Sequence, residues 1–108
     1  NDVAVESIEI LRGKLGKKIY ETGILYMKLD EFESAKMTFQ TVIDMYYDTE
    51  IIQLAYQGMV KALARNKEID EAKTLLSEHK NVLVESGLYD DATRTIEKMQ
   101  KTILKATN

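Results

Sequence analysis

A short turn motif occurs three times in this chain and limits the folds that the chain can adopt. The copies are Glu31-Phe32-Glu33-Ser34-Ala35-Lys36, Glu68-Ile69-Asp70-Glu71-Ala72-Lys73 and Leu88-Tyr89-Asp90-Asp91-Ala92-Thr93. Each has an apolar residue, then two acidic or polar residues, then alanine. The first two copies start at residues 31 and 68, and at the same offset Ile19 matches Tyr56 and Phe39 matches Leu76. A period of this length is typical of a helical hairpin that stacks on copies of itself.

Apolar residues recur at spacings of three and four between these turns, which places them along one side of an α-helix. The sequence predicts five helices, at about 1–29, 32–46, 48–66, 68–86 and 89–106. Asp48 or Thr49 is expected to cap the start of the third helix, and Gly87 to end the fourth in a left-handed cap. Gly13 and Gly16 interrupt the first pattern, and predict a bend, a close contact or a less stable helical extension.

The third turn starts at residue 88, only 20 residues after the second, which is too short a distance for another hairpin. We therefore expect the last helix to cap the stack. The chain has no proline and five glycines, so few positions interrupt long helices. The predicted fold is one all-α domain over residues 1–108. It consists of a first repeat at about 14–47, a second at about 49–86 and a capping helix at about 89–106.

The composition excludes several kinds of partner and site. A net charge of −3 gives no general attraction for nucleic acid or anionic lipid. The absence of cysteine excludes disulfides and thiolate ligands, and no cofactor motif, metal cluster or nucleophile with a base is found. No apolar run reaches the ~20 residues of a membrane span. We therefore expect a protein that is not an enzyme and holds neither a metal nor a cofactor.

The first repeat resembles the tetratricopeptide repeat. Ile19, Gly23, Tyr26, Ala35 and Phe39 occupy the spacings of the large residue, glycine, tyrosine, alanine and phenylalanine in that pattern. The second repeat retains the hydrophobic sizes and Ala72, with a period longer than usual. The resemblance implies a tetratricopeptide-like stack of helical hairpins whose first helices line a groove for a partner segment.

A narrower resemblance is to the C-terminal repeats of the BamD family, the outer-membrane lipoproteins of the β-barrel assembly machinery. It covers about 11–72 and is carried by Lys14-Leu15-Gly16-Lys17, by Tyr20, Gly23 and Tyr26, and by Tyr46-Tyr47-Asp48-Thr49. The resemblance implies a periplasmic, outer-membrane-associated module that binds the periplasmic repeat domains of BamA. Any membrane attachment would come from a lipid anchor outside this chain. Because family members have further N-terminal repeats, the chain is expected to be a fragment or a short relative.

Two other interpretations of the same repeats remain open. A periplasmic protein associated with the Tol system has phenylalanine, valine and isoleucine at a similar spacing, followed by a tyrosine-containing turn. A general peptide-binding scaffold, including a cytoplasmic one, would have the same hairpins. The alternative prediction is therefore a Tol-type, cell-envelope or general tetratricopeptide scaffold.

The resemblance places a partner-binding groove on the first helix of each hairpin. The implied residues are Lys17, Tyr20, Ile24, Met27 and Lys28 in the first repeat and Gln57, Lys61 and Arg65 in the second. Their apolar and basic character suits an acidic, partly apolar partner. The alternative is that Tyr20, Ile24 and Met27 pack against the N-terminal extension and leave solvated lysines. If the groove exists, replacing Lys61 and Arg65 with glutamate should weaken binding and preserve the fold.

Other chemically notable residues have simpler structural explanations. His79 is the only histidine and lies on an apolar stripe, so it is expected to pack rather than to bind a metal. Acidic residues at 30–33, 68–71 and 90–91 suit the positive ends of helices and do not have the spacing of a calcium loop. The basic stripe on the last helix is expected to be solvated, with an acidic partner or a membrane surface as the alternative; it contains Arg94, Lys98, Lys101 and Lys105.

Overall fold

The computed structural model describes residues 2–107, and this part of the chain is all-α. It contains six helices and no strand. The helices are α1 (Asp2–Lys28), α2 (Phe32–Met45), α3 (Ile52–Arg65), α4 (Ile69–Glu78), α5 (Lys80–Glu85) and α6 (Tyr89–Thr107). The predicted all-α stack of helical hairpins with a capping helix is confirmed. The prediction for Asn1 lies outside the described residues.

The three predicted turns have the same backbone geometry. Each contains one residue in the left-handed region, with φ of 57° at Asp30, 66° at Lys67 and 76° at Gly87. The amide of the next residue donates to the carbonyl five residues earlier: Glu31 to Tyr26 at 2.9 Å, Glu68 to Leu63 at 2.9 Å and Leu88 to Leu83 at 2.8 Å. This is the Schellman arrangement, which satisfies carbonyls at a helix end. Helix reversal is therefore encoded in the same way three times.

The third helix is the centre of the stack. It contacts each of the other five helices and buries residues around most of its circumference. Small residues make this possible because neighbouring backbones can approach them closely; those buried are Ala55, Gly58, Ala62 and Ala64. The helical periodicity of the sequence predicted only one buried face for α3. The tertiary structure shows that it is covered by hairpins on both sides.

Phe39 of α2 fills the space between α1 and α3 and is fully buried. A Cβ atom added to Gly23 of α1 would lie 2.6 Å from the ring, and one added to Gly58 of α3 would lie 2.7 Å from it. Real Cβ atoms do not approach other atoms so closely, so an alanine at either position would force the fully buried Phe39 ring to move. A second core cluster, around Val60, Leu76, Leu83 and Ile96, joins α3 to α4, α5 and α6.

Two local predictions were wrong. The fourth predicted helix is divided at His79, where φ is −111° and ψ is 17°, so that α4 and α5 replace it and the total is six rather than five. Neither Asp48 nor Thr49 caps α3, which begins after Ile51 without a side-chain cap. Asp48 instead accepts a hydrogen bond from Arg12, and the Thr49 hydroxyl donates to the carbonyl of Tyr46. A long-range contact therefore engages Asp48, and a local hydrogen bond engages Thr49, in place of the predicted caps.

The first helix is longer than its neighbours and projects beyond them. Its 27 residues are continuous, so Gly13 and Gly16 cause no break. Gly16 makes a close contact, since an added Cβ would lie 3.1 Å from Tyr46 Cβ, whereas Gly13 has nothing within 4 Å. Residues 2–11 of α1 are all exposed. This projecting segment carries several exposed apolar side chains: Val3, Val5, Ile8, Ile10 and Leu11.

Candidate functional site

The five predicted contact residues of α1 have two different environments. Lys17 and Lys28 are exposed. Tyr20, Ile24 and Met27 are half-buried and pack against a core cluster formed by Ala35, Phe39, Met59 and Ala62. They therefore pack on α2 and α3 and not on the N-terminal extension. Their remaining exposed surface lies beside the two lysines.

Tyr20 links this part of the site to the rest of the molecule. Its ring centroid lies 5.7 Å from that of Phe39 at a tilt of 42°. Burial raises the pKa of its hydroxyl above the ordinary value, and the negative charge of Asp91 adds to the effect. Tyr20 therefore lies within electrostatic range of α6.

The second-repeat residues Gln57 and Lys61 are already bound within the chain. Gln57 is only 9% exposed, and its amide donates to the carboxylate of Asp91 and to the carbonyl of Leu88, both at 3.2 Å. The ammonium of Lys61 donates to the same Asp91 carboxylate at 2.7 Å. This hydrogen bond is the main reason that the pKa of Asp91 lies below its ordinary value. The start of α6 thus binds the groups that were expected to contact a partner.

Arg65, the eighth predicted residue, joins the end of α3 to the first turn. Its guanidinium lies 3.5 Å from the carboxylate of Asp30 and 4.9 Å from the centre of the Phe32 ring. Both contacts are partly solvated, so the guanidinium keeps exposed surface. Of the two charged residues predicted for the second repeat, Arg65 is therefore the more accessible, with 44% of its side chain exposed against 32% for Lys61.

These contacts change what is expected when Lys61 and Arg65 are both replaced with glutamate. Glutamate at Lys61 would place two carboxylates side by side, because Asp91 lies at hydrogen-bonding distance. Glutamate at Arg65 would do the same beside Asp30. The double variant would therefore disturb the packing of α6 and of the first turn, contrary to the expectation that it leaves the fold intact.

We define the α1–α3 face as the eight predicted residues; whether they bind a partner stays a prediction.

Asp91 belongs to this surface, although its sequence position did not predict that role. It was interpreted as an acidic residue that suits the start of a helix, which it also is. A signal was present, because the third turn copy comes only 20 residues after the second and must therefore return α6 toward α3. Periodicity alone does not show which side chain of the returning helix would meet Lys61.

A second polar network joins the first turn to the second. Lys36 donates to Glu68 at 2.6 Å and to Glu33 at 3.2 Å, and the Asn66 amide donates to Glu33 at 2.7 Å and to Glu68 at 3.0 Å. The hydrogen bond between Lys36 and Glu68 is the main cause of a raised pKa at Lys36 and of a lowered pKa at Glu68. These acidic residues therefore fasten one hairpin to the next. Within residues 2–107, no group of three or more potential ligands is arranged to hold a metal ion.

His79 packs, as its position on an apolar stripe suggested. Its ring stacks on Tyr56 with centroids 3.8 Å apart and an angle of 25° between the planes. The residue lies at the junction of α4 and α5 and is half-buried. The contact explains how an aromatic ring is accommodated where α4 ends and α5 begins.

The predicted basic stripe of α6 is exposed. Arg94 lies 3.8 Å from Asp91, within the same helix, and its side chain is 62% exposed. Lys98, Lys101 and Lys105 are exposed as well. The stripe faces away from the buried residues Ala92 and Ile96, so it is a charged outer surface of the capping helix.

Comparison with known proteins gives no family for this chain. No protein-family model and no curated protein matches it. Among the helices of residues 2–107, none is both long and apolar enough to cross a membrane.

Proposed function

We propose that this chain is a non-catalytic protein–protein interaction module that binds a partner segment on the α1–α3 face. The observation that supports the proposal most directly is the composition of the accessible part of this face. Ile24 and Met27 are partly exposed on the helix that also carries the exposed Lys17 and Lys28, and the exposed Arg65 at the end of α3 lies beside Asp30 of the first turn. An apolar strip with basic groups at its edges suits a partner segment that is apolar in its centre and acidic at its margins.

Rigidity of the face also supports the proposal. Phe39 and its two glycine neighbours hold α1 and α3 at a close, fixed separation. Asp91 fixes the positions of Gln57 and Lys61 from the opposite side. A surface whose side chains are already ordered loses less conformational entropy on binding. The internal hydrogen bonds of the second repeat therefore shape the site rather than contribute its contacts.

The resemblance to the BamD family suggests the partner. On that basis we propose the periplasmic repeat domains of BamA as the ligand, and the periplasmic side of the outer membrane as the location. A lipid anchor would have to lie outside this chain. The proposal for the partner depends on the motifs around 14–26 and 46–49, whereas the proposal of a binding module depends on the α1–α3 face.

The test is a calorimetric titration of the purified chain with the periplasmic repeat domains of BamA from the same organism. We expect saturable binding with micromolar or tighter affinity. The variant Lys17→Glu/Lys28→Glu should weaken binding about tenfold, because two rim charges become repulsive toward an acidic partner. Neither lysine has an ion pair within residues 2–107, so the fold should be unaffected.

The matched control is Lys101→Glu/Lys105→Glu, which changes the net charge equally on the outer surface of α6. Its affinity should stay within about twofold of the unmodified chain, as expected for distant charges that salt screens. Equal weakening by both variants would indicate a general charge effect and would contradict the proposed face. If the folded chain does not bind at all, BamA is excluded and a general or Tol-type scaffold becomes the leading function.

A further inference from the structure

The projecting part of α1 forms one wall of an open cleft. The opposite wall is the start of α3, and the cleft has a volume of about 850 Å³. Its lining includes Ile10, Gly13, Lys14 and Lys17 from α1, and Ile51 and Leu54 from the start of α3. Arg12 holds the helix over the cleft through hydrogen bonds to Asp48 at 2.8 Å and to the Met45 carbonyl at 2.6 Å.

The wall contributed by α1 has a seam suited to another helix. Val3, Glu6, Ile10, Gly13 and Lys17 follow one another at spacings of three and four, so they lie along one side of the helix. Val3 is 72% exposed and Ile10 is 54% exposed. Gly13 has no atoms within 4 Å of the position of a Cβ, which leaves room for a close backbone approach.

The charges along this segment are divided by sign. Asp2, Glu6 and Glu9 precede Ile10, whereas Arg12, Lys14, Lys17 and Lys18 follow it. Neither Glu6 nor Lys14 forms an ion pair within residues 2–107. Acidic and basic halves on either side of an apolar residue are complementary to the same segment placed in the opposite direction.

We propose that this seam binds a second copy of the chain, with the two α1 helices antiparallel and Ile10 on the two-fold axis. Because residues 6 and 14 are equally far from residue 10, Glu6 of each copy then lies opposite Lys14 of the other. Residues 3 and 17 are also equally far from it, so Val3 lies against the aliphatic part of Lys17. The contact is isologous, and each ion pair therefore occurs twice.

The second copy is favoured over other occupants because this segment is complementary to itself. The exposed basic stripe of α6 would repel Lys14 and Lys17, so a head-to-tail contact with α6 is disfavoured. Two helix segments of this length are expected to bury less than the ~800 Å² per partner of a standard interface. We therefore expect a weak dimer, with a dissociation constant in the micromolar to millimolar range. The proposal involves neither BamA nor the second-repeat half of the α1–α3 face.

The test is sedimentation equilibrium of the chain from about 10 μM to about 1 mM, a range that spans the affinity expected of so small a contact. We expect a reversible monomer–dimer equilibrium that weakens as salt is raised, because the ion pairs are solvent-exposed. Glu6→Lys and Lys14→Glu should each weaken dimerisation about tenfold, since every substitution creates two like-charge contacts. The combined variant Glu6→Lys/Lys14→Glu should restore it, because the signs again match.

Two substitutions of exposed apolar residues show which side of α1 forms the dimer contact. Ile10→Asp should abolish the dimer by placing two carboxylates at the axis, whereas Leu11→Asp, on another side of the helix, should not change it. Circular dichroism checks that both variants remain helical. A chain that stays monomeric up to about 1 mM, a combined charge swap that does not restore the dimer, or loss of the dimer in Leu11→Asp rather than Ile10→Asp would each overturn the proposal.

Discussion

At the scale of single residues, Phe39 and two glycines determine how closely the helices pack. The ring is fully buried between α1 and α3, and glycine is present at both positions that face it. Glycine destabilises a helix by about 1 kcal/mol relative to alanine, so its presence here indicates a steric requirement. The packing of α1, α2 and α3 therefore depends on the fit between the Phe39 ring and the two glycines that face it.

Gly58→Ala should lower the free energy of unfolding by about 1–3 kcal/mol, because the added Cβ overlaps the Phe39 ring and the better helix propensity of alanine does not compensate. Urea denaturation at low micromolar concentration measures the change. Gly13→Ala is the matched control, and should raise stability by up to about 1 kcal/mol since nothing surrounds that position. Equal effects of the two substitutions would contradict the steric explanation.

At the scale of helices and turns, the three reversals share one backbone design with different residues. Gly87 adopts its left-handed conformation without a side chain to clash, whereas Asp30 and Lys67 have positive φ despite carrying a Cβ. Asp30 also forms an ion pair with Arg65, but Lys67 is exposed and forms none within residues 2–107. Lys67 therefore has local strain, and no ion pair within the described residues offsets it.

Lys67→Gly should raise the free energy of unfolding by about 0.5–1 kcal/mol, because it removes the steric cost of the left-handed conformation. Thermal and urea unfolding both report the change. Lys67→Ala removes the same long side chain and retains the Cβ, so no increase is expected from it. Similar stabilisation in both variants would show that loss of the lysine charge, and not backbone conformation, is responsible.

At the scale of the whole molecule, ion pairs connect consecutive hairpins along an elongated stack of 63 × 28 × 17 Å. Arg12 with Asp48, Lys36 with Glu68 and Lys61 with Asp91 each join different helices or turns. In all three pairs the hydrogen bond donated by the lysine or arginine side chain is the main cause of a lowered carboxylate pKa. Stability of the assembled stack is therefore linked to pH.

A carboxylate whose pKa is lower in the folded than in the unfolded state stabilises the fold above its unfolded pKa, which is about 4. That contribution is lost as pH falls through the folded pKa. The melting temperature should therefore decrease steadily below about pH 4.5. Asp91→Asn should make this decrease shallower and lower the melting temperature at pH 7, whereas Asp90→Asn, whose carboxylate has no ion pair within residues 2–107, should do neither. Identical pH profiles for the two variants would contradict the role of Asp91.

The candidate site could be predicted only in part from the sequence. The predicted residues of α1 share one side of the helix because their spacing follows from helix geometry alone, and they are exposed or half-buried. The hydrogen bonds that hold Gln57 and Lys61 within the chain were not predictable, since their partner Asp91 is 30 or more positions away. Side-chain pairing across the stack depends on the angle at which α6 returns, and no local pattern specifies that angle.

The amino-acid sequence by itself determined the all-α class, most helix boundaries and the three reversals, because helical periodicity and left-handed caps are interactions between near neighbours. The tertiary structure decided what surrounds each helix. It buried α3 on nearly all sides, matched Phe39 with Gly58, bound Asp48 to Arg12 instead of to the start of α3, and left residues 2–11 of α1 projecting. These outcomes depend on volume and charge brought together across the stack, which a one-dimensional pattern does not contain.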